Sequence, residues 1–218
     1  MARLDLKGRV RVEDSTATGA IPVQIFCDGS QDDFYSPFQR RAQPKADGTF
    51  SIQDLAPDRY AIRLANMETG QEGGYYVKTV RVNGVTSAGG EIDMTAGPAQ
   101  DVELILSAAV GGVEGTVQEP AADLTMVVVP ESVPSGDSRP LTVYLDQDGH
   151  FSLTDLEPGS YRAFAVTEYD NGLWQNAGFR GRMANRGTAF QVVEKKNARI
   201  EVKVVPADEV RQVEAQIQ

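Results

Sequence analysis

A fourteen-residue stretch recurs in this chain, and that recurrence limits what the chain can fold into more than any other feature. Residues 47–60 read Asp47-Gly48-Thr49-Phe50-Ser51-Ile52-Gln53-Asp54-Leu55-Ala56-Pro57-Asp58-Arg59-Tyr60. Residues 148–161 read Asp148-Gly149-His150-Phe151-Ser152-Leu153-Thr154-Asp155-Leu156-Glu157-Pro158-Gly159-Ser160-Tyr161. Asp, Gly, Phe, Ser, Asp, Leu, Pro and Tyr hold the same places, 101 residues apart. Self-similarity at a fixed spacing marks a repeated structural unit, and 218 residues supply two units each large enough to bury a core. Weaker echoes extend the match. Gly8-Arg9-Val10 answers Gly115-Thr116-Val117, and Val23-Gln24-Ile25-Phe26 answers Met126-Val127-Val128-Val129. Each unit closes on an alternating segment, Asp101–Leu106 in the first and Arg199–Val204 in the second.

The repeated stretch has a direct physical reading. Asp-Gly supplies the positive φ of a tight hairpin turn, and Phe-x-Ile or Phe-x-Leu places two apolar side chains on one face of a strand. Pro57 and Pro158 fix φ at the next turn. Tyr60 and Tyr161 then read as corner residues, ring buried and hydroxyl reaching backbone, as in Greek-key sandwiches. Helical periodicity is confined to the tail from Ala207 to Gln216. The expected fold is therefore all-β: two tandem Greek-key β-sandwiches of about seven strands each, with a short C-terminal helix. The boundaries expected are 1–108 and 109–206 for the sandwiches and 207–218 for the tail.

Composition narrows the function. A formal net charge of −10, with no basic stripe, excludes a nucleic-acid partner; Arg40, Arg41 and Lys45 are too few to track phosphates. No apolar run approaches the roughly 20 residues that span a bilayer, so no membrane insertion is expected. Met1–Gly8 lacks the apolar centre of a signal peptide, which leaves either a cytoplasmic chain or part of a longer exported one. Cys27 reads as a small buried hydrophobe and His150 as a surface residue, and the lone histidine offers neither a base for a nucleophile nor a zinc-ligand set. Asp146-Gln147-Asp148-Gly149 would put Tyr144 at the first position of a calcium loop, where it cannot ligate, so a turn is expected there. Asp28, Asp32 and Asp33 read as a solvated acidic loop. No cofactor, metal or catalytic residue is expected, and the chain reads as a non-enzyme.

The unit Gly-x-Val … Asp-Gly-x-Phe-x-Leu-x-x-Leu-x-Pro-Gly-x-Tyr resembles the carboxypeptidase regulatory-like domain, over residues 8 to 205. The first unit departs from that pattern at Asp58-Arg59. Gly74–Gly84 looks like the segment that precedes a final strand in bacterial modules of this kind. Glu168, Trp174-Gln175, Phe179 and Arg186-Gly187 look like the C-terminal module of large bacterial exported proteins. The resemblance implies a transthyretin-like sandwich related to adhesin B-type repeats, a place in a longer chain, and an extracellular or periplasmic location. The catalytic histidines of related hydrolases and carboxypeptidases have no counterpart here. The Lys–Asn crosslink of adhesin repeats is not expected either, since Lys7 is accompanied by Leu64 where a Glu would stand.

Aromatic loop residues are the remaining candidates for a ligand site. Phe34 and Tyr35 fall in a polar insertion of the first unit, and Tyr169 and Trp174 in a loop of the second. Exposed rings on loops stack on sugars or grip protein partners; the competing expectation is that these rings cap the sandwich ends. The leading function is a structural or interaction module, a spacer or protein-binding scaffold. The alternative is a carbohydrate-binding accessory module with a polysaccharide partner.

Overall fold

The structure is a computed structural model describing residues 3–13, 21–29, 40–66, 74–87, 90–120 and 123–217. It divides into two compact units, Met1–Val110 with Pro134–Asp137, and Gly111–Val133 with Ser138–Gln218. Both are built from strands, and a short helix ends the chain.

In the first unit, strand β1 (Leu4–Val12) sends Leu6 and Val10 inward while Lys7 and Arg9 face solvent, the period-two alternation of a half-buried strand. Strands β2 (Val23–Gly29), β3 (Arg41–Ala42), β4 (Thr49–Leu55), β5 (Arg59–Asn66), β6 (Tyr76–Val82), β7 (Val85–Thr86), β8 (Glu91–Asp93) and β9 (Val102–Ser107) complete it. They form two sheets, ordered β4-β1-β9-β6-β7 and β3-β2-β5-β8. Leu6, Ile25, Phe50, Ile52, Tyr60 and Leu104 fill the core between them.

The second unit repeats this arrangement with β10 (Gly111–Gln118), β11 (Thr125–Ser132), β12 (Leu141–Tyr144), β13 (His150–Leu156), β14 (Gly159–Val166), β15 (Thr188–Val192) and β16 (Asn197–Val205). Here the layers are continuous, in the order β12-β11-β14-β16-β10-β13 with β15 against β14, because Ala165 and Val166 pair with Val204 and Val205. In both units the first strand runs parallel to the last and antiparallel to the strand of the repeated motif. Gly8 stands opposite Phe50 and Val102; Gly115 stands opposite Phe151 and Ile200.

The motif behaves as its chemistry requires. Gly48 and Gly149 have φ of 81° and 79°, and their N–H groups donate to Lys45 O and Asp146 O. The two arms of this turn belong to different ladders, however: β3 pairs β2 whereas β4 pairs β1, so the turn carries the chain between layers. Tyr60 and Tyr161 are buried, and each hydroxyl donates across 2.9 Å to the carbonyl four residues earlier, Ala56 O and Glu157 O. Between Pro-turn and Phe, Asp54 (φ 62°) and Asp155 (φ 60°) sit at matching register shifts, one β-bulge in each copy.

The units diverge after β5 and β14. The first continues into the β6–β7 hairpin; the second forms helices α1 (Asn171–Gln175) and α2 (Ala177–Met183) and a 3-10 turn over Ala184–Arg186. The sequence reading placed Tyr169–Trp174 in a loop and helix only in the tail. Side-chain caps make the difference: Asp170 accepts the N–H of Leu173 at 2.8 Å, and Asn176 that of Phe179 at 3.1 Å. Arg180 donates to the last carbonyls of α1, Trp174 O and Gln175 O. With helix α3 (Ala207–Glu214), these helices cover the outer face of β11 and β14, and a second core forms from Val127, Val129, Phe164, Trp174, Phe179 and Val210. No described helix is long and apolar enough to cross a membrane.

Trp174, for which the sequence leaves both an exposed ligand-binding ring and a cap of the sandwich end, is fully buried in this second core and is no exposed ring. Its ring lies 4.9 Å from Phe164 and 5.2 Å from Phe179, the latter edge-on. The helical caps turn it inward, and the burial leaves its Nε1 without a hydrogen-bond partner.

Two stability predictions follow from these locks. Tyr60→Phe and Tyr161→Phe each remove one hydroxyl–carbonyl bond and should lower stability by about 1 kcal/mol in urea titrations; unchanged midpoints would show the bonds to be idle. Trp174→Ala empties the second core and should cost about 3–5 kcal/mol, read as early unfolding of the second unit alone. Wild-type stability in that variant would contradict the packing.

Candidate functional site

The outer face of the β16-β10-β13 ladder carries an open groove of about 600 Å³. Alternation aims its side chains: Val113 and Val117 of β10 turn inward, leaving Glu114 and Thr116 facing out, and Ser152 of β13 is likewise exposed. On β12, Leu141 and Val143 pack against the core, so Tyr144 points away, with 86% of its surface exposed. It is the most exposed large apolar side chain described, and it lines the groove.

The charged groups around Tyr144 are held in place. Arg199 Nε donates to Glu114 Oε1 across 2.6 Å between neighbouring strands. Asp146 Oδ1 accepts the backbone N–H groups of His150 (2.8 Å) and Asp148 (3.0 Å), and its Oδ2 stands 3.3 Å from His150 Nδ1. Those bonds, that from the His150 N–H first, hold the Asp146 carboxyl below its ordinary pKa. The first unit fixes its turn differently: Asp47, within the Asp-Gly pair, accepts the N–H and hydroxyl of Thr49, and its carboxyl is lowered for that reason.

The first unit has a groove of about 610 Å³ at the corresponding place over β1. Lys7, Arg9 and Thr49 stand there where the second unit has Glu114, Thr116 and His150. The described lining of that groove contains no aromatic ring.

The residues singled out in the sequence do not gather in either groove. Phe34 and Tyr35, with Asp32 and Asp33, lie outside the described residues. Tyr169 is half-buried at the edge of the second core, its hydroxyl donating to Asn171 Oδ1 at 2.9 Å. Burial and then the neighbouring Asp170 push its phenol up. Trp174 is core. Cys27 is buried, and Asp28 pairs with Arg63, whose guanidinium lies 4.1 Å from the centre of the Phe26 ring. Lys7 faces solvent beside Asp5, whereas Leu64 points into the core, so these two positions face opposite sides of their sheets. Among the described residues no three His, Cys, Asp or Glu side chains converge as metal ligands would. In the sequence Tyr144 figures only as a residue unable to ligate calcium, although the Leu141-Thr142-Val143-Tyr144 alternation gives its outward parity.

No family model matches the chain. No curated protein matches it either. Solved structures with similarity include the Bacillus anthracis TIE protein (16% identity, 93% of this chain, 34% of that one, TM-score 0.30). A streptococcal ancillary pilin gives 12% identity over 94% of this chain and 63% of that one, with a TM-score of 0.35. GBS52, the minor pilin of Streptococcus agalactiae, gives 12% identity over 94% and 97%, with a TM-score of 0.34. The chain thus spans less than two thirds of the first two of these proteins. At such scores the overlays carry no assignment of function.

Proposed function

We propose that the chain is a non-catalytic structural module of a bacterial exported protein: a spacer that resists tension and presents its sheet edges to protein partners. In this reading its two sandwiches are carboxypeptidase regulatory-like domains, one within 1–108 and one within 109–206, and the parent protein lies outside the cytoplasm.

One observation supports the spacer role above the rest. In each unit the first and last strands are adjacent and parallel, pairing from Gly8↔Val102 to Val12↔Leu106 and from Gly112↔Asn197 to Gln118↔Lys203. Tension along the chain then pulls neighbouring strands in opposite directions along their length. All hydrogen bonds of the ladder share that load, and none can peel away first. Cross-strand ion pairs stiffen the same faces: Glu103 receives both Arg11 (2.7 Å) and Arg81 (3.1 Å), and Lys78 meets Glu13 at 2.6 Å. Each such exposed pair contributes little stability alone, yet they occupy the outward charges with one another.

Single-molecule pulling tests this role. Held by its two ends, the chain should give two separate unfolding events, each adding roughly 300 Å at about 3.3–3.6 Å per residue. Attachment at Gln118 and Lys203, which are register partners, should peel the same ladder and lower the unfolding force of the second unit. Equal forces in the two geometries would contradict the proposal.

A further inference from the structure

The sheets of this chain end on strands of very unequal length. Edge strands β3, β7, β8 and β12 have two to four residues, whereas β4 and β13 have seven each. Natural sheets blunt long edges with Lys or Pro, and β13 (His150-Phe151-Ser152-Leu153-Thr154-Asp155-Leu156) contains neither.

The register shows which backbone groups of β13 face outward. Val117 N–H donates to Gly149 O, so the pairs Gly115/Phe151 and Val113/Leu153 direct their amides to β10. The amides of His150, Ser152 and Thr154 therefore face the opposite way. Those of His150 are taken: its N–H by Asp146 Oδ1 and its carbonyl by the Asp146 N–H. Ser152 and Thr154 are exposed, and among the described residues β13 pairs with β10 alone. Two residues with outward N–H and C=O groups make a short but usable edge, bounded by the turn at Asp146 and the bulge at Asp155.

Side chains beside that edge select what it can take. Asp146, Asp148 and Asp155 are exposed around it, while Arg199, the nearby arginine, is paired with Glu114. The Tyr144 ring stands free in the adjoining groove, where a cation can lie over its face. We infer that the β13 edge accepts an extended basic peptide segment of a partner protein as an added strand, with one of its Lys or Arg side chains seated on Tyr144. Alternation along the added strand requires the basic residues at every second position, so that they share the face toward the groove. The β4 edge suits such a segment less, because Lys7 and Arg9 line the corresponding groove. The inference rests on the protein-contacting half of the proposed function and is independent of the spacer half.

The test is a titration of the intact 15N-labelled chain with an acetylated, amidated Lys-Val-Lys-Val-Lys-Val-Lys peptide. A second peptide of the same charge carries N-methyl groups on alternate amides, which blocks strand pairing. The first peptide should shift the amide signals of Ser152 and Thr154, and the methylated one should bind at least tenfold more weakly. Tyr144→Ala should weaken binding at least threefold while leaving the fold intact, since its side chain is solvent-exposed. Ser152→Pro, whose lost N–H faces outward, provides a second variant with the same expected loss. Equal binding of the two peptides, shifts confined to other strands, or no binding would overturn the inference. So would a chito-oligosaccharide that shifts the Tyr144 and His150 signals when the peptide does not, because the groove would then belong to a sugar. None of these outcomes alters the pulling experiment, so the two readings fail separately.

Discussion

The close parallel pairing of first and last strands is what the rest of each unit depends on. It sets the first and last strands of a unit side by side in the middle of a sheet, with the motif strand on the other side of the first strand. A glycine makes that closeness attainable. A Cβ on Gly8 would run into the carbonyl oxygen of Val102 and come within 2.9 Å of the Phe50 ring. A Cβ on Gly115 would meet Ile200 O and, at 2.9 Å, the Phe151 ring. The phenylalanine therefore fills the hollow that the glycine leaves, and the two residues form one packing element split between strands 42 residues apart in the first unit and 36 in the second. The bulge, the Pro turn and the buried tyrosine hold that phenylalanine's strand in register.

From this shared frame the units separate in how they use the outer face of the other layer. In the first, Val23-Gln24-Ile25-Phe26 alternates between buried and half-buried positions. In the second, Met126, Val127, Val128 and Val129 are all buried, because helices α1, α2 and α3 cover the face that the first unit's strand leaves partly open. A continuous apolar run in a strand is the mark of burial on both sides. The second unit thus carries two cores about one layer, and the single tryptophan belongs to the outer one.

Much of this was legible in the sequence, and the reasons are local. The positive φ at Asp-Gly, the bond from tyrosine to a carbonyl four residues back and the inward alternation of Leu6 and Val10 all follow from short-range chemistry. The tail helix α3 was legible, but α1 and α2 were not, since Gly172, Gly178 and Gly181 dilute their propensity and two side-chain caps decide the matter. The two readings of Trp174 part on the same point: as loop the segment leaves its ring exposed, and as capped helix it buries the ring over the sandwich. The outward face of Tyr144 was present in the β12 alternation. What recommends the ring as a site is its neighbourhood, Asp146, His150 and the edge of β13, and that neighbourhood exists only after non-local strands have paired.

Hydrogen exchange of Gly115→Ala, read amide by amide beside the unaltered chain, tests the central claim most directly. The added methyl group must part β10 from β16 or expel the Phe151 ring. The account predicts faster exchange along 111–118 and 197–205, with the first unit unchanged. Undiminished protection across both strands would show that the close approach of the first and last strands is not what closes the unit.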